Sequence, residues 1–594
     1  MANKKFSEFD LKTSSSDVAF VVGFNGTDNV RIAPSNLSSG GASDLNGLSD
    51  CSVTAEFSQF IGNVPSGVTS GNAFYNTSLG HNALESLTGG AYNTVIGFEA
   101  GDAITTNNRN TVFGAQALSS SNPASVTAIG QMAGNAASGS NAVYVGYQAG
   151  RNNTSSGHIS IGYQAGSSNT SGTKNTNIGY QASFSNTSQS SRTCIGYEAG
   201  KSNTGTSNTF IGQAAGKGSS TGIMNVVIGS NAMAFAALGN FNIGIGHQVA
   251  QESTAANNTI VGYQAGQYNT TGGNNTMVGY EAGRNTTTGS NNVLMGYEAG
   301  KTLTNQQSVT AVGYQSLRLN TASNNTAFGS FAGGANSSGT QNTYIGTSTG
   351  NLNQTGSNNT FLGYIAGASL FNMSGNTAVG TEALQGGFFG VANNNTSMGY
   401  QAGKSIATGG DSNTMIGYQA GLTLTTGDNN LILGNTATPS AITVDNEITL
   451  GNSSISTLRC AVTSITSLSD ERDKSDIKDL EYGLAFIDAL QPREFVWDNR
   501  TEVIKVGKRT ETGEYETDEQ GEIVYDETEV FSANKGKKDF GFIAQEVREL
   551  DNDTLRLVYT ENEEKLELSY GKLVPILVQA IKDLSAKVTA LENA

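Results

Sequence analysis

The sequence NNTMVGYEAG at residues 274–283 returns seventeen residues later as NNVLMGYEAG at 291–300, and close variants recur through two thirds of the chain. When they are aligned on their middle glycine, 22 units follow one another from Gly80 to Gly434, nearly all of them 16 or 17 residues apart. A self-similar period of this kind indicates a repeat architecture, so this stretch decides the fold.

Three positions of the unit keep their chemical character. The residue before the middle glycine is apolar in all 22 units, the third residue after it is Ala in 19, and the fourth residue before it is Asn in 17. Uniform apolar character is typical of a buried position, so we predict that the pre-glycine residues face the interior in register, one per coil. On this prediction, Val278→Asp would bury an unpaired charge and disrupt the fold locally.

Each unit fits one coil of a parallel β-solenoid: a short strand, a bend at glycine, a second short element and a polar turn. A single coil cannot bury its apolar face, but stacked coils can, and their Asn amides can then form a hydrogen-bonded ladder. Proline would interrupt such ladders, and none occurs between Pro123 and Pro439. At roughly 4.8 Å per stacked strand, 22 coils predict a rod on the order of 100 Å long.

Tyrosine follows the middle glycine in 11 units. The favoured interpretation is that these rings pack along a lateral face between neighbouring chains, and the alternative is that they stack on sugars. The NNT and NTS triplets match glycosylation acceptors, but we interpret them as turn and ladder residues because no secretion signal precedes them.

Charge divides the chain near residue 468. Residues 469–594 hold 30 acidic and 17 basic residues, which accounts for most of the net charge of −17. We therefore predict an N-terminal domain at 1–70, a solenoid shaft at 71–438, a β neck at 439–468 and a C-terminal domain at 469–594. In the first of these, Asn25-Gly26 marks the turn of a hairpin. The acidic balance without a basic patch argues against a nucleic-acid partner.

Several functional classes find no support in the sequence. The N-terminus has no apolar run like a signal peptide, and no segment is long enough to span a bilayer, so we expect folding in a cytoplasm and no membrane insertion. The three cysteines and three histidines are scattered without metal-ligand spacing, and we interpret them as packing or surface residues. No cofactor and no metal are expected.

One chemical motif lies at the charge boundary, in SLSDERDKSDI at 467–477, where Ser469 precedes Lys474 by five residues. A Ser-Lys pair can carry out acyl transfer without histidine when burial keeps the lysine neutral. The plainer interpretation is that Ser469 and Asp470 cap the start of a helix. Spacing alone does not choose between the two.

This motif, followed by GLAFIDALQPREFVWD at 483–498, KKDFGFIAQEV at 537–547 and a terminal helix, resembles the peptidase S74 family. That family comprises the intramolecular chaperones of endosialidase-type phage tailspikes and tail fibres. The resemblance implies an α+β domain that assembles as a trimer, guides folding of the fibre and then cuts itself off. It makes Ser469 the nucleophile, Lys474 the general base and Leu468-Ser469 the scissile bond. The acidic insert at 508–530 is interpreted as a variable hairpin.

The terminal segment has the pattern of a coiled-coil seam, with apolar residues spaced by three and four. The seam residues are Val574, Leu577, Ile581, Leu584, Val588 and Leu591. Their alternation of β-branched residues with leucine favours two strands, whereas the family implies three. The solenoid repeats also resemble, more loosely, the heads of trimeric bacterial adhesins.

Together these features predict a mainly β, homotrimeric bacteriophage fibre of the virion tail or neck, made in the host cytoplasm. Its N-terminus would bind other virion proteins, and it would adhere to a glycan or protein of the host surface. Two alternatives stay open: a structural neck or capsid fibre without receptor, and a tailspike that degrades polysaccharide. The second needs paired carboxylates, and the chain before residue 469 is poor in them, with 19 of the 49 acidic residues.

Overall fold

The computed structural model describes residues 20–25, 28–32, 51–53, 58–62, 65–68, 73–218, 220–235, 237–369, 371–387, 390–455, 458–459, 471–498, 502–507, 525–530, 536–551, 554–559 and 566–594. The chain divides into two compact units, Met1–Ser338 and Gly339–Ala594, and each is described by itself.

The first unit consists of short strands. They are β1 (Phe20–Asn25), β2 (Asp28–Ile32), β3 (Cys51–Val53), β4 (Gln59–Gly62), β5 (Thr77–Gly80), β6 (Thr94–Ile96), β7 (Thr111–Phe113), β8 (Val126–Ile129), β9 (Ala142–Val145), β10 (Ile159–Ile161), β11 (Thr176–Ile178), β12 (Thr193–Ile195), β13 (Thr209–Ile211), β14 (Val226–Ile228), β15 (Ile243–Ile245), β16 (Thr259–Val261), β17 (Thr276–Val278), β18 (Val293–Met295), β19 (Thr310–Val312) and β20 (Thr326–Phe328).

The second unit continues the strand series and then adds helices. Its strands are β21 (Thr343–Ile345), β22 (Thr360–Leu362), β23 (Thr377–Val379), β24 (Thr396–Met398), β25 (Thr414–Ile416), β26 (Leu431–Leu433), β27 (Ile448–Leu450), β28 (Arg493–Val496), β29 (Glu502–Gly507), β30 (Tyr525–Val530), β31 (Lys538–Gly541), β32 (Val558–Tyr559) and β33 (Glu567–Leu568). Its helices are α1 (Leu484–Ala489), α2 (Ala544–Asp551) and α3 (Leu573–Glu592), with 3-10 turns at Glu471–Asp473 and Tyr570–Lys572.

Successive repeat strands pair in parallel with equivalent residues opposite each other. In the first unit this ladder runs from β4 to β20, and in the second from β21 to β27. Between β17 and β18, for example, Met277 lies opposite Leu294 and Val278 opposite Met295. The prediction of a mainly β protein built on a parallel solenoid of about 22 turns is confirmed.

The middle residue of each strand, two before the glycine, is the one that points into the coil. Val95, Ile260 and Leu294 at this position are fully buried. None of the 22 pre-glycine residues is buried, and Phe113 is 55% exposed. Our prediction that the pre-glycine residues face inward was therefore wrong. Adjacent side chains of a strand point to opposite faces, so a buried middle residue places its pre-glycine neighbour outside.

The asparagines form the predicted ladder inside the coils. Asn275 donates its backbone N–H to Asn258 Oδ1 at 2.9 Å, and its own Oδ1 accepts from Asn292 N–H at 3.0 Å. Its Nδ2 donates to the Gly289 carbonyl at 2.9 Å. Each ladder side chain thus satisfies backbone groups that would otherwise be buried without partners.

Both ends of the repeat region contain more β structure than the 22 units. At the N-terminal end, β4 pairs in parallel with β5, and β3 pairs with β4 in the antiparallel sense. At the other end, β27 pairs in parallel with β26, as expected for strands that continue the rod. The predicted hairpin is present as β1 and β2, with Asn25 at the end of β1 opposite Asp28, while Gly26 of the predicted turn lies outside the described residues.

Candidate functional site

The C-terminal part of the chain is held by one small apolar core. Its buried members come from the three helices, the residue that follows α1, and the start of β32 with the residue before it: Phe486, Leu490, Val547, Leu557, Val558, Leu573 and Ile576. Strands β28 and β31 pair in the antiparallel sense, as do β29, which precedes the acidic insert, and β30, which forms the end of the insert. The predicted hairpin at the insert is present, and its first strand begins at Glu502, before the insert itself.

Helix α3 is fixed to α1 by a carboxylate. Asp583 Oδ2 accepts the backbone N–H of Leu484 at 3.0 Å, and Asp583 Oδ1 accepts from Gln579 Nε2 at 2.8 Å. The Leu484 N–H bond, followed by the Gln579 bond, lowers the pKa of Asp583. Gly483 precedes α1, and a Cβ there would lie 2.1 Å from Asp583 Oδ2. Only glycine leaves room for this contact.

Two more carboxylates stabilise the domain. Glu546 of α2 receives two parallel hydrogen bonds from Arg493 of β28, at 3.1 and 2.9 Å. Asp551 is buried at the end of α2, and its carboxylate accepts the backbone N–H groups of Leu555 at 2.5 Å and Leu557 at 2.9 Å. These contacts use the fork geometry of arginine and the acceptor capacity of a carboxylate. They are structural and leave neither side chain free to react.

The structure places only one member of the Ser-Lys pair. Ser469 and Leu468 lie outside the described residues. Lys474 follows the 3-10 turn Glu471–Asp473, donates its backbone N–H to the Glu471 carbonyl at 3.1 Å, and is exposed in the single chain. The described residues therefore do not bury Lys474, which a general-base lysine requires.

The predicted coiled-coil seam lies on α3 and is exposed along its whole length. Exposure of its six residues runs from 43% at Leu577 to 78% at Leu591. A second apolar row, which the sequence reasoning missed, lies one residue earlier and packs within the same chain: Leu573, Ile576 and Ala580. The sequence could have shown this row, because its residues have the same spacing of three and four as the seam. Helix α3 thus uses one apolar face inside the domain and leaves the other uncovered.

The shaft presents a second candidate surface, the tyrosines that follow the middle glycine. Successive rings stack on one another at centroid distances of 5.0–5.3 Å, with interplanar angles of at most 17°. The stacked sets are Tyr147–Tyr163–Tyr180–Tyr197, Tyr263–Tyr280–Tyr297–Tyr314 and Tyr400–Tyr418. Each ring covers the face of the next, so the stacks present ring edges and hydroxyls to solvent.

Several charged residues of the shaft are paired with one another, whereas Asp102 lies near the carboxylates of Glu85 and Glu99, and burial followed by their negative charge raises its pKa. Lys301 Nζ contacts Glu281 at 2.6 Å and Glu298 at 2.7 Å, and Lys404 Nζ contacts Glu382 at 2.6 Å. Glu198 lies between Lys201 and Lys217, both at 2.6 Å, and the hydrogen bond from Lys201, then that from Lys217, lowers the pKa of Glu198.

Cys194 and His158 occupy packing positions inside the coils. Cys194 is a buried middle residue whose pKa is raised by burial, and His158 occupies a ladder position where burial lowers its pKa. His247 stacks on Tyr263 at 5.4 Å. Within the described ranges, no group of three His, Cys, Asp or Glu residues could hold a metal ion. No helix in the described part of the chain is long and apolar enough to cross a membrane.

Comparison with known proteins identifies the C-terminal part. The family model described as Peptidase_S74, chaperone of endosialidase, matches residues 469–556, beginning at Ser469 and ending before α3. No curated protein and no solved structure matches the chain. The chain thus carries a chaperone-of-endosialidase domain behind a parallel β-solenoid, a combination that fits a tailspike- or fibre-type protein.

Proposed function

We propose that this chain is a homotrimeric bacteriophage fibre whose C-terminal domain drives folding and association of the shaft and then cuts itself off. The observation that carries the proposal is the chaperone match at 469–556 behind a solenoid of parallel, non-local strand pairs. Such pairings form slowly and expose strand edges while they form, so the shaft has a physical need for a folding aid.

The exposed seam of α3 supports association. Val574, Leu584 and Val588 keep the spacing of a coiled coil and are exposed in the described part of the single chain. A soluble helix that leaves such a row in water gains by burying it against equivalent helices. The number of copies, three, is taken from the chaperone family.

In this proposal the remaining parts have structural and adhesive roles. The N-terminal region attaches to other tail or neck proteins of the virion, and the shaft presents the fibre to a host surface glycan or protein. The fibre is made in the host cytoplasm and acts on the virion. The paired shaft carboxylates, such as Glu298 beside Lys301, give no support to polysaccharide hydrolysis.

The proposed cleavage uses Ser469 as nucleophile and Lys474 as general base, at the peptide bond between Leu468 and Ser469. The serine lies beside its own peptide carbonyl, so the reaction needs no bound substrate, only a neutral lysine and amide donors for the developing oxyanion. Ser469→Ala and Lys474→Ala should each give an uncut chain that still associates. Denaturing electrophoresis and intact mass should show the wild type as a shaft ending at Leu468 and a tail of 126 residues. Assembled wild type that contains only the 594-residue chain would refute self-cleavage.

The chaperone role has its own test. A chain that lacks residues 469–594 should be insoluble or monomeric, whereas the uncut Ser469→Ala chain should be soluble and oligomeric. Size-exclusion chromatography with light scattering distinguishes these outcomes. Soluble oligomers made from residues 1–468 alone would show that the tail is not needed for folding.

A further inference from the structure

The outer surface of the repeat strands is free of charge and carries an apolar row. We define the outer strand face as the residues three before and one before the middle glycine, with the tyrosine row formed by the residue after it. Across all 22 coils, none of these positions is Asp, Glu, Lys or Arg. The shaft ion pairs are formed by residues two and five after the glycine, as Glu298 and Lys301 show. Charge is therefore kept off this surface along the whole repeat region.

The pre-glycine row is too large an apolar surface for a chain that works alone. Residues 1–338 contain sixteen such residues, from Leu79 to Phe328, and none of them is buried. Five of the sixteen are exposed and eleven are partly exposed, and together they exceed the roughly 300–600 Å² of the largest apolar patch on a typical monomer. The same row continues as a separate set in the second unit, for example at Leu362 and Ile416. Its area is in the range that a stable protein–protein interface buries.

The repeat spacing identifies what can cover this row. Parallel strands repeat about every 4.8 Å, and the tyrosine rings follow that spacing. A partner that contacts every coil must present side chains at the same spacing over the same length, and another copy of this chain does so. An interface without charged residues also lets copies meet without burying unpaired ions.

The stacking of the tyrosines argues against a glycan as the main occupant. A sugar packs against the face of an aromatic ring, but the faces of Tyr163, Tyr180 and Tyr280 are covered on both sides by neighbouring rings. What remains accessible is a row of edges and hydroxyls, which suits packing against a second protein surface.

We infer that the outer strand face and the tyrosine row are the surface by which copies of this chain pack against each other along the shaft. The inference rests on the proposed homotrimeric fibre and adds to it the face that meets the partner. It also gives the uniform apolar character of the pre-glycine position a physical cause, since that position is buried between copies instead of within a coil.

Native methionines test this without substitution, because oxidation of methionine follows its exposure. Met295 and Met398 belong to the pre-glycine row and are 39% and 41% exposed in the single chain, whereas Met224 lies in a turn and is 55% exposed. Met277 and Met415 are interior and serve as protected references. The assembled full-length protein is treated with dilute hydrogen peroxide, and each sulfoxide is quantified by peptide mass spectrometry.

If the chain is alone, the oxidation rates of Met295 and Met398 should be within about threefold of the rate of Met224. If the two residues lie in the inferred interface, they should oxidise at least about tenfold more slowly than Met224, at rates close to those of Met277 and Met415. Light scattering on the same sample reports association independently. If the protein is oligomeric but Met295 and Met398 react like Met224, the interface lies elsewhere while the proposed fibre stands. If the protein is a monomer at every concentration, the proposed homotrimer fails and the interface fails with it. A sample in which only an added host glycan slows Met295 would assign this face to a receptor and overturn the inference.

Discussion

Gly279→Ala should loosen the coils around it, because the middle glycine has two separate reasons to be glycine. Its φ of +139° is one that residues with a Cβ rarely adopt. An added Cβ would also lie 2.3 Å from the Gly296 carbonyl oxygen and 2.7 Å from its carbon, so the next coil would have to shift. The same contact recurs through the shaft, where the 22 middle glycines have φ between +124° and +143°.

The size of the effect follows from these two terms. A non-glycine residue in a sparsely populated region costs about 1–3 kcal/mol, and forcing a packed neighbour aside costs about another 1–3 kcal/mol. Gly157→Ala is the matched control, since Gly157 has φ +76° but a Cβ there would meet nothing within 4 Å. Gly157→Ala should lose only the stability that the unfavourable backbone conformation costs, about 1–2 kcal/mol.

Hydrogen exchange followed by mass spectrometry measures the opening locally. The amides to follow are Gly279, which donates to the Val261 carbonyl, and Gly296, which donates to the Val278 carbonyl, both at 2.8 Å. A loss of about 4 kcal/mol accelerates their exchange by roughly a thousandfold. Since each coil contacts only its neighbours, the distant amide of Gly130 should be unchanged and serves as an internal reference. Equal exchange profiles for Gly279→Ala and Gly157→Ala would refute the close-packing argument.

Two further changes test the shaft and the tail. Met277→Asp places a charge inside a coil and should unfold that coil, whereas Val278→Asp places the charge on the outer face and should leave the coil folded but weaken association. Circular dichroism measures the unfolding and light scattering measures the association. Equal unfolding by both variants would contradict the assignment of faces. Asp583 has a folded pKa below its ordinary value of 3.8, so its contribution to stability is present above that value and is lost as pH falls through the folded pKa. Fluorescence of Trp497, the single tryptophan, should report tail unfolding at low pH that loses part of its pH dependence in Asp583→Asn. An unchanged pH profile in that variant would show that the contact with Leu484 does not matter.

The period, the parallel register and the asparagine ladder could be predicted because each depends on one residue type recurring at one spacing. The inward position could not be found in this way, because its residues differ so much in size. Tyr144 fills one coil and Ser160 occupies the next, and the ring of Tyr144 has room because Gly150 lacks a Cβ that would lie 2.1 Å from it. Interior packing requires complementary sizes in neighbouring coils and not one conserved character. Uniform apolar residues were therefore a sign of the outer face.

The family of the C-terminal domain could be predicted from the sequence, but the geometry of its Ser-Lys site could not. The resemblance to the family singled out Ser469 and Lys474, and the family model begins at that serine. Spacing does not determine burial, however, and Lys474 is exposed in the single chain. The second apolar row of α3, which includes Leu573 and Ile576, was missed because a seam one residue away has the same period.

The exposure of Lys474 and of the α3 seam leads to one prediction about the order of events. A lysine acts as a general base only when it is neutral, which requires removal from water, and Lys474 is exposed to solvent in the described part of the single chain. On the proposed function, another copy supplies that cover, so association must come before cleavage. Ile581→Asp puts a charge on the seam and should leave a folded, monomeric, uncut chain although Ser469 and Lys474 are intact.

Ala586→Asp is the matched control for that variant. It adds the same charge to an exposed position of α3 that is off the seam, and this chain should associate and cut as the wild type does. Light scattering gives the state of association, and denaturing electrophoresis at several protein concentrations gives the rate of cutting. If Ile581→Asp is monomeric yet cuts at the wild-type rate, the cover for Lys474 comes from its own chain, and self-cleavage cannot be the step that reports completed assembly.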